Sequence, residues 1–453
     1  DSMKSYINMV ETSIPWLSRI PEHWELKRNK NIFSEAKETV GENSSQYKLL
    51  SLTTKGIIIR DITSGKGKFP KDFNTYKIVN EGDMAFCLFD IDETPRTVGL
   101  SSYHGMLTGA YTIFHVRDIN PRYVYYYYVS LDDVKALRPL YSGLRKTINT
   151  GTFLGSKLPV PPREEQDQIV RFLDWKVSSI NKLINVRKKQ IEELEELKRS
   201  KIGTLIMGQV SGNEMKDTAV SWVKTIPAHW QEKTVVQVAE EQQIKNTGMT
   251  EDNLLSLSYG KIINKDINTT DGLLPASFEG YQIVHDGNIV LRLTDLQNDH
   301  KSLRTGLSTQ TGIITSAYTC LKVREGIIPE YLQLQLHVAD LCKVFYGMGG
   351  GVRQSIGFKE IRKLIIAVPP IEEQKRILEA THGVEGPINE VIQKKKEIIL
   401  SLEELKKRLI SDVVVGNFDV RDIDVPEYEN VDEDTDDDIE EADDNVETEE
   451  QEY

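Results

Sequence analysis

This 453-residue chain is written twice, and that duplication limits its fold more than any other feature. Trp16-x₃-Ile20-Pro21-Glu22-His23-Trp24 recurs as Trp222-x₃-Ile226-Pro227-Ala228-His229-Trp230, 206 residues on. Ile78-Val79-Asn80-Glu81-Gly82-Asp83 returns as Ile283-Val284-His285-Asp286-Gly287-Asn288 at 205, and Ala110-Tyr111-Thr112 as Ala317-Tyr318-Thr319 at 207. Val160-Pro161-Pro162-x-Glu164-Glu165-Gln166 becomes Val368-Pro369-Pro370-x-Glu372-Glu373-Gln374 at 208, as does Leu194-Glu195-Glu196-Leu197-Lys198 with Leu402-Glu403-Glu404-Leu405-Lys406. Offsets that drift by only three residues over a whole half imply a duplicated domain, and the period is far too long for a solenoid.

Each half has two parts. The first mixes short β-like runs with turns (49–53, 83–89 and 111–116; 254–258, 288–293 and 318–323), then a helix near 121–137 or 329–344. After the Pro-Pro the periodicity changes. Val170, Leu173, Val177, Ile180, Ile184, Ile191 and Leu194 fall at alternating spacings of three and four; at offset 208 they read Leu378, Thr381, Glu385, Ile388, Ile392, Ile399 and Leu402. Proline at the entrance and acids in the first turn start a helix well. Arg187 and Lys395 interrupt the two stripes at equivalent places. Each helix could pack on its own domain alone, but two long narrow stripes in a duplicated chain are natural partners. An antiparallel pair is expected, a rod of roughly 60 Å at 1.5 Å per residue. The expected organisation is α+β: module 1–164, long helix 165–209, module 210–372, long helix 373–416 and an acidic disordered tail 417–453.

Charge is uneven. The net charge is −14, but residues 417–453 hold 19 Asp/Glu against Arg421 alone. The body before Asn417 therefore carries +4, weak evidence for nucleic acid by itself. The tail has almost no apolar content and reads as a solvated extension; the sharper alternative is that it folds back and competes with non-specific DNA. No apolar run approaches the roughly 20 residues of a membrane span, and the first residues lack a signal-peptide core. Cys87, Cys320 and Cys342 form no CxxC pair. A cytoplasmic protein without a disulfide framework or cysteine zinc site is expected.

The Trp-x₃-Ile-Pro-x-His-Trp opening, the Val-Pro-Pro-x-Glu-Glu-Gln junction and the Leu-Glu-Glu-Leu-Lys helix, all in duplicate from Trp16 to Asn417, resemble the specificity subunit of type I restriction-modification systems. The resemblance implies two target recognition domains, each reading one half of a split DNA site. The two helices would form an antiparallel coiled coil that sets the half-site separation and docks methyltransferase subunits, with restriction/translocase subunits joining. It implies a non-catalytic chain with no cofactor of its own; S-adenosylmethionine and Mg-ATP would belong to the partner subunits.

The residues agree. There is no Asn-Pro-Pro-Phe/Tyr or Asp-Pro-Pro-Phe/Tyr motif for a flipped adenine and no Walker A pattern. Gly347-Met348-Gly349-Gly350-Gly351 reads as a loop, not a cofactor cradle. His23 and His229, between proline and tryptophan, suggest packing above metal binding. Tyr125–Tyr128 could suggest base stacking, but the run aligns with Gln333-Leu334-Gln335-Leu336, as a packed helix face would. A fused methyltransferase and a coiled-coil scaffold binding only protein are the competing classes.

Duplication also sorts the candidate DNA contacts. Basic positions shared by both copies suit phosphate gripping: Arg60 with Lys265, Arg96 with Arg304 across a one-residue gap, and Arg145 with Arg353. Positions that differ suit base reading. Cys87 aligns with Arg292 and Phe89 with Thr294; Lys66 and Lys68 have no basic equivalent, and Lys146 aligns with Gln354. Against these stands a plainer reading of solvated surface charge, or of Arg292 neutralising Asp295.

Overall fold

The computed structural model describes residues 4–60, 72–209, 212, 214–267, 277–294, 296, 303–348 and 355–433. The chain divides into two compact units, Asp1–Lys189 with Lys395–Tyr453 and Gln190–Lys394. Each unit therefore takes a piece of both long helices, Arg163–Ile206 and Ile371–Val414.

Both units contain the same four-stranded antiparallel sheet. The first is ordered Phe33–Ala36, Thr112–Val116, Met84–Phe86, Val98–Leu100. The second is ordered Ala239–Gln242, Thr319–Val323, Ile289–Leu291, Thr305–Leu307. Register puts Ala85 opposite Gly99 and Val290 opposite Gly306. These glycines are required by close approach. A Cβ at Gly99 would lie 2.6 Å from Leu52 and 2.7 Å from Ile57; at Gly306 it would lie 2.6 Å from Leu257 and 3.0 Å from Ile262. Those neighbours belong to the hairpins Leu50–Thr53/Gly56–Ile59 and Leu255–Ser258/Lys261–Asn264. Each sheet thus carries a hairpin pressed onto it at a glycine.

The repeated motifs meet in space. Glu165, buried in the first turn of the central helix, accepts from the Trp24 indole at 2.9 Å and the Tyr6 hydroxyl at 2.5 Å, with His23 Nε2 at 2.7 Å. Glu373 repeats this with Trp230 at 3.1 Å and His229 at 2.8 Å. The adjoining glutamines are fully engaged. Gln166 accepts the Asn120 N–H at 2.9 Å and donates to the Pro161 carbonyl; Gln374 does the same with Ile328 and Pro369. The histidines therefore pack and anchor.

Each module also grips the end of the other module's helix. In the first unit the Tyr123 hydroxyl lies 2.9 Å from the Pro159 carbonyl and 3.3 Å from that of Val414. In the second, Tyr331 lies 3.3 Å from Ala367 and 3.1 Å from Ile206. One helix starts where the other ends, so they run antiparallel. The same contact appears in each unit: Lys406 Nζ donates to Asn181 at 3.2 Å, and Lys198 Nζ to Asn389 at 3.0 Å. The helices leave through glycines at positive φ, Gly208 (+62°) and Gly416 (+77°), whose Cβ would strike Trp230 at 2.6 Å and Pro21 at 2.4 Å. The tyrosine run is core. Tyr126, Tyr127 and Tyr128 are buried, their hydroxyls bonded to Asp174, Trp16 and Asn29.

The tail requires a correction. It does not leave the body at Asn417: Asp419 bridges Lys4, Val420 is fully buried, and residues 420–433 follow the central helix. Backbone hydrogen bonds, which composition does not report, hold it there. Residues 434–453 lie outside the described residues.

Glu165→Ala strands the buried Trp24 and Tyr6 donors and should cost about 1–3 kcal/mol per unpaired group. Gly416→Ala adds a clash in a left-handed backbone and should also lower the melting midpoint. Gly203, inside the helix with open space around its Cβ position, provides the control, since Gly203→Ala should stabilise by under about 1 kcal/mol. Thermal unfolding of the three variants checks the ordering.

Candidate nucleic-acid interface

The shared cations separate into two groups. Arg60 and Lys265 are true equivalents: their N–H groups bond Leu49 and Leu254 at 2.9 and 2.8 Å, each just past the second hairpin strand. Arg60 is half-buried and Lys265 exposed. Lys66 and Lys68 lie outside the described residues.

Arg96 and Arg304 are not surface groups. Arg96 is mostly buried and paired with Asp132 at 3.1 Å and Asp133 at 2.9 Å. Burial opposes its charge, yet the two carboxylates hold its pKa above the ordinary value. Arg304 is completely buried. Its guanidinium donates to the Arg292 and Thr294 carbonyls at 3.1 and 2.8 Å and to the Tyr346 hydroxyl at 3.1 Å, and it sits 5.2 Å from that ring's centre. The two arginines are not equivalents either. Cys87 and Arg292 donate their N–H groups to the carbonyls of Thr97 and Arg304 respectively, so Arg304 stands where Thr97 does. The backbone N–H groups of Thr97 and Arg304 bond Asp132 and Asp340 in the same way, at 3.0 and 2.8 Å. Matching arginine to arginine required a gap that the strand register does not contain. Both are corrected from phosphate contacts to structural cations.

Arg145 and Lys146 occupy an exposed tip closed by the Ser142–Thr147 bridge, with Leu144 fully exposed between it and Gly143 at φ +70°. They face a carboxylate loop. Arg145 pairs with Asp90 at 2.9 Å, and Lys146 with Asp92 at 3.1 Å and Glu93 at 2.8 Å. The Lys146 hydrogen bond leads the causes that hold the Asp92 carboxyl below its usual range. The acids partly neutralise the two cations. The equivalent frame exists in the second unit, where Ile356 N–H bonds Leu293 as Ile148 bonds Leu88. Arg353 and Gln354 lie outside the described residues.

Arg292 does align with Cys87, and the two environments differ. Cys87 is buried, and burial pushes its thiol up to about 11, while Arg292 is half-buried. Asp295, its suggested partner, lies outside the described residues. One exposed group escaped the sequence reading. Tyr259 is 86 % exposed at the turn between Ser258 and Lys261, with φ of 45° at Tyr259 and 76° at Gly260. These are the left-handed pairs of a tight two-residue hairpin turn. The first copy has Thr54-Lys55 there. A Tyr-Gly pair between alternating β runs was the available signal. Among the described residues no three or more His, Cys, Asp or Glu gather as metal ligands, and no helix is long and apolar enough to cross a membrane.

Comparison with known proteins accords with this frame. A specificity subunit named for the MjaX type I restriction enzyme of Methanocaldococcus jannaschii is 23 % identical over 433 residues, 89 % of this chain and 96 % of that one. The MjaVIII type I restriction enzyme specificity subunit of the same organism is 24 % identical over 286 residues, 60 % of this chain and 64 % of its own length. A solved chain described under complex assembly and conformational transition of the type I R-M system shares the fold, with TM-score 0.59 at 12 % identity, over 88 % of this chain and 99 % of that one. The family model for the type I restriction modification DNA specificity domain matches residues 21–193 and 310–401, more than half the chain, and this protein belongs to that family.

Proposed function

We propose that this chain reads a bipartite, asymmetric DNA site, one half with each module, and positions methyltransferase and restriction subunits on it. It is a specificity subunit and not itself the enzyme; S-adenosylmethionine and Mg-ATP would be used by the partner subunits, in the cytoplasm. The observation that carries this reading is one frame built twice with different side chains at matching positions, the exposed turn Thr54-Lys55 against Tyr259-Gly260 and buried Cys87 against half-buried Arg292. Two copies on one fold with different surfaces suit two different half-sites. A scaffold binding only protein would have no need for that pattern. Methylation mapping of a host genome with and without the chain tests it: a split motif should disappear with the chain. Replacing the first module alone should change one half of that motif, and a change in both halves would contradict the modular reading.

The cations should then behave differently. Arg145→Ala should weaken binding to every duplex and reduce the salt slope by about one. Arg292→Ala should relax preference at one base pair, by about 1–3 kcal/mol. Arg304→Ala should instead lower the melting midpoint, because it strands buried carbonyls. Filter binding on specific and random duplex, with unfolding curves, separates the three outcomes.

A further inference from the structure

Residues 420–433 lie along the first half of the central helix as an extended strap, held in an uncommon way. Uncharged helix side chains direct their hydrogen bonds to its main chain. Gln168 Nε2 donates to the Val420 and Ile423 carbonyls at 3.0 and 2.7 Å. Ser178 Oγ donates to the Glu429 carbonyl at 2.8 Å and accepts the Val431 N–H at 2.7 Å. Asn181 donates to the Val431 carbonyl at 3.0 Å and Asn185 to that of Asp432 at 2.9 Å. Two strap side chains also meet charge: exposed Glu429 lies 4.0 Å from Lys182, and half-buried Glu433 meets Lys188 at 3.2 Å and, from the distal helix, Lys406 at 2.5 Å.

Positions 178, 181, 185 and 188 are spaced three, four and three, a single face of a helix. This ladder is absent from the duplicated frame. At offset 208, Gln168, Ser178, Asn185 and Lys188 become Arg376, Gly386, Gln393 and Lys396. Asn181 and Lys188 keep their identities, as Asn389 and Lys396, and both asparagines have the shared task of accepting the lysine of the paired helix. Residues present in only one copy serve a task of that copy, and here their hydrogen bonds go to the strap.

We infer that this face of the central helix is a peptide-binding groove for an extended acidic segment, occupied in cis by the chain's own residues 420–433. Main-chain recognition makes the groove tolerant of sequence, and the Lys188–Lys406 pair demands a carboxylate at its far end. Because that carboxylate touches both helices, the occupied groove also latches the distal helix to the central one. The site is exchangeable. A strap tethered at Val420 competes with free peptide at an effective concentration in the millimolar range.

The test uses the chain truncated after Ile423, which keeps buried Val420, and a fluorescent peptide of residues 424–433. The peptide should bind the truncated chain saturably and the full chain at least tenfold more weakly. A peptide with residues 424–432 scrambled should bind within a few-fold, while Glu433→Gln in the peptide, or Ser178→Ala with Asn185→Ala in the protein, should lose at least tenfold. Equal binding to both chains, or no binding to the folded truncated chain at millimolar peptide, overturns the proposal. Should truncation prevent folding, hydrogen exchange on the full chain decides. The Val431 amide should be protected and should lose that protection in Ser178→Ala, whereas unchanged exchange overturns the groove.

Discussion

A carboxylate at the first turn of each long helix, buried at Glu165 and half-buried at Glu373, organises the rest of the chain. Taking a carboxylate out of water costs several kcal/mol unless donors replace the solvent. Tyr6 and Trp24 from the start of the module supply them, with His23 beside. That requirement draws residues 141 to 159 positions apart into one cluster. The ladder Glu25–Arg28/Lys157–Val160, which leads straight into the helix, then closes behind it. Gln166 fixes the loop before the Pro121–Asp133 helix by the same means. Module and helix start are therefore one packed body, and Glu373 with Gln374 makes the second in the same manner.

The organisation of the fold was legible because duplication prints it twice. Motifs that recur together, such as Ile-Pro-x-His-Trp and Glu-Glu-Gln, turn out to be bonded together, although no single copy reveals that. The helix stripes were equally plain, since burial at 170, 173, 180 and 184 follows the expected spacing. Strand register was not legible. It is set by where a hairpin can press onto a glycine, at Gly99 and Gly306, and that geometry counts residues from the glycine, not from the nearest arginine. Aligning Arg96 with Arg304 by identity placed two structural cations among the phosphate contacts. The tail was misjudged for a related reason. Charge-rich, apolar-poor composition describes side chains, whereas Gln168, Ser178, Asn181 and Asn185 capture backbone.

A cation present in both copies is therefore ambiguous until its surroundings are known, because folding and phosphate binding are both tasks that every copy performs. Burial resolves the ambiguity. Arg304 has its donors committed to carbonyls of its own module, so replacing it would damage the frame before it touched DNA. Arg145 is more than half exposed and pairs with Asp90 at the surface.

The same physics explains where two half-site readers can diverge without losing their common fold. Side chains at the hairpin turns bear almost no packing: Tyr259 is mostly in solvent, and its turn depends on Gly260 for backbone conformation. The first copy makes the corresponding turn differently, with Thr54-Lys55 and a positive φ of 97° carried by Gly56 instead. A change of tip residue there alters the exposed surface of the module while leaving Gly99 or Gly306, the sheet and the buried carboxylate untouched. Specificity in such a chain can move through exposed turns whose cost to stability is small. The sites that cannot move are those whose hydrogen bonds close inside the module.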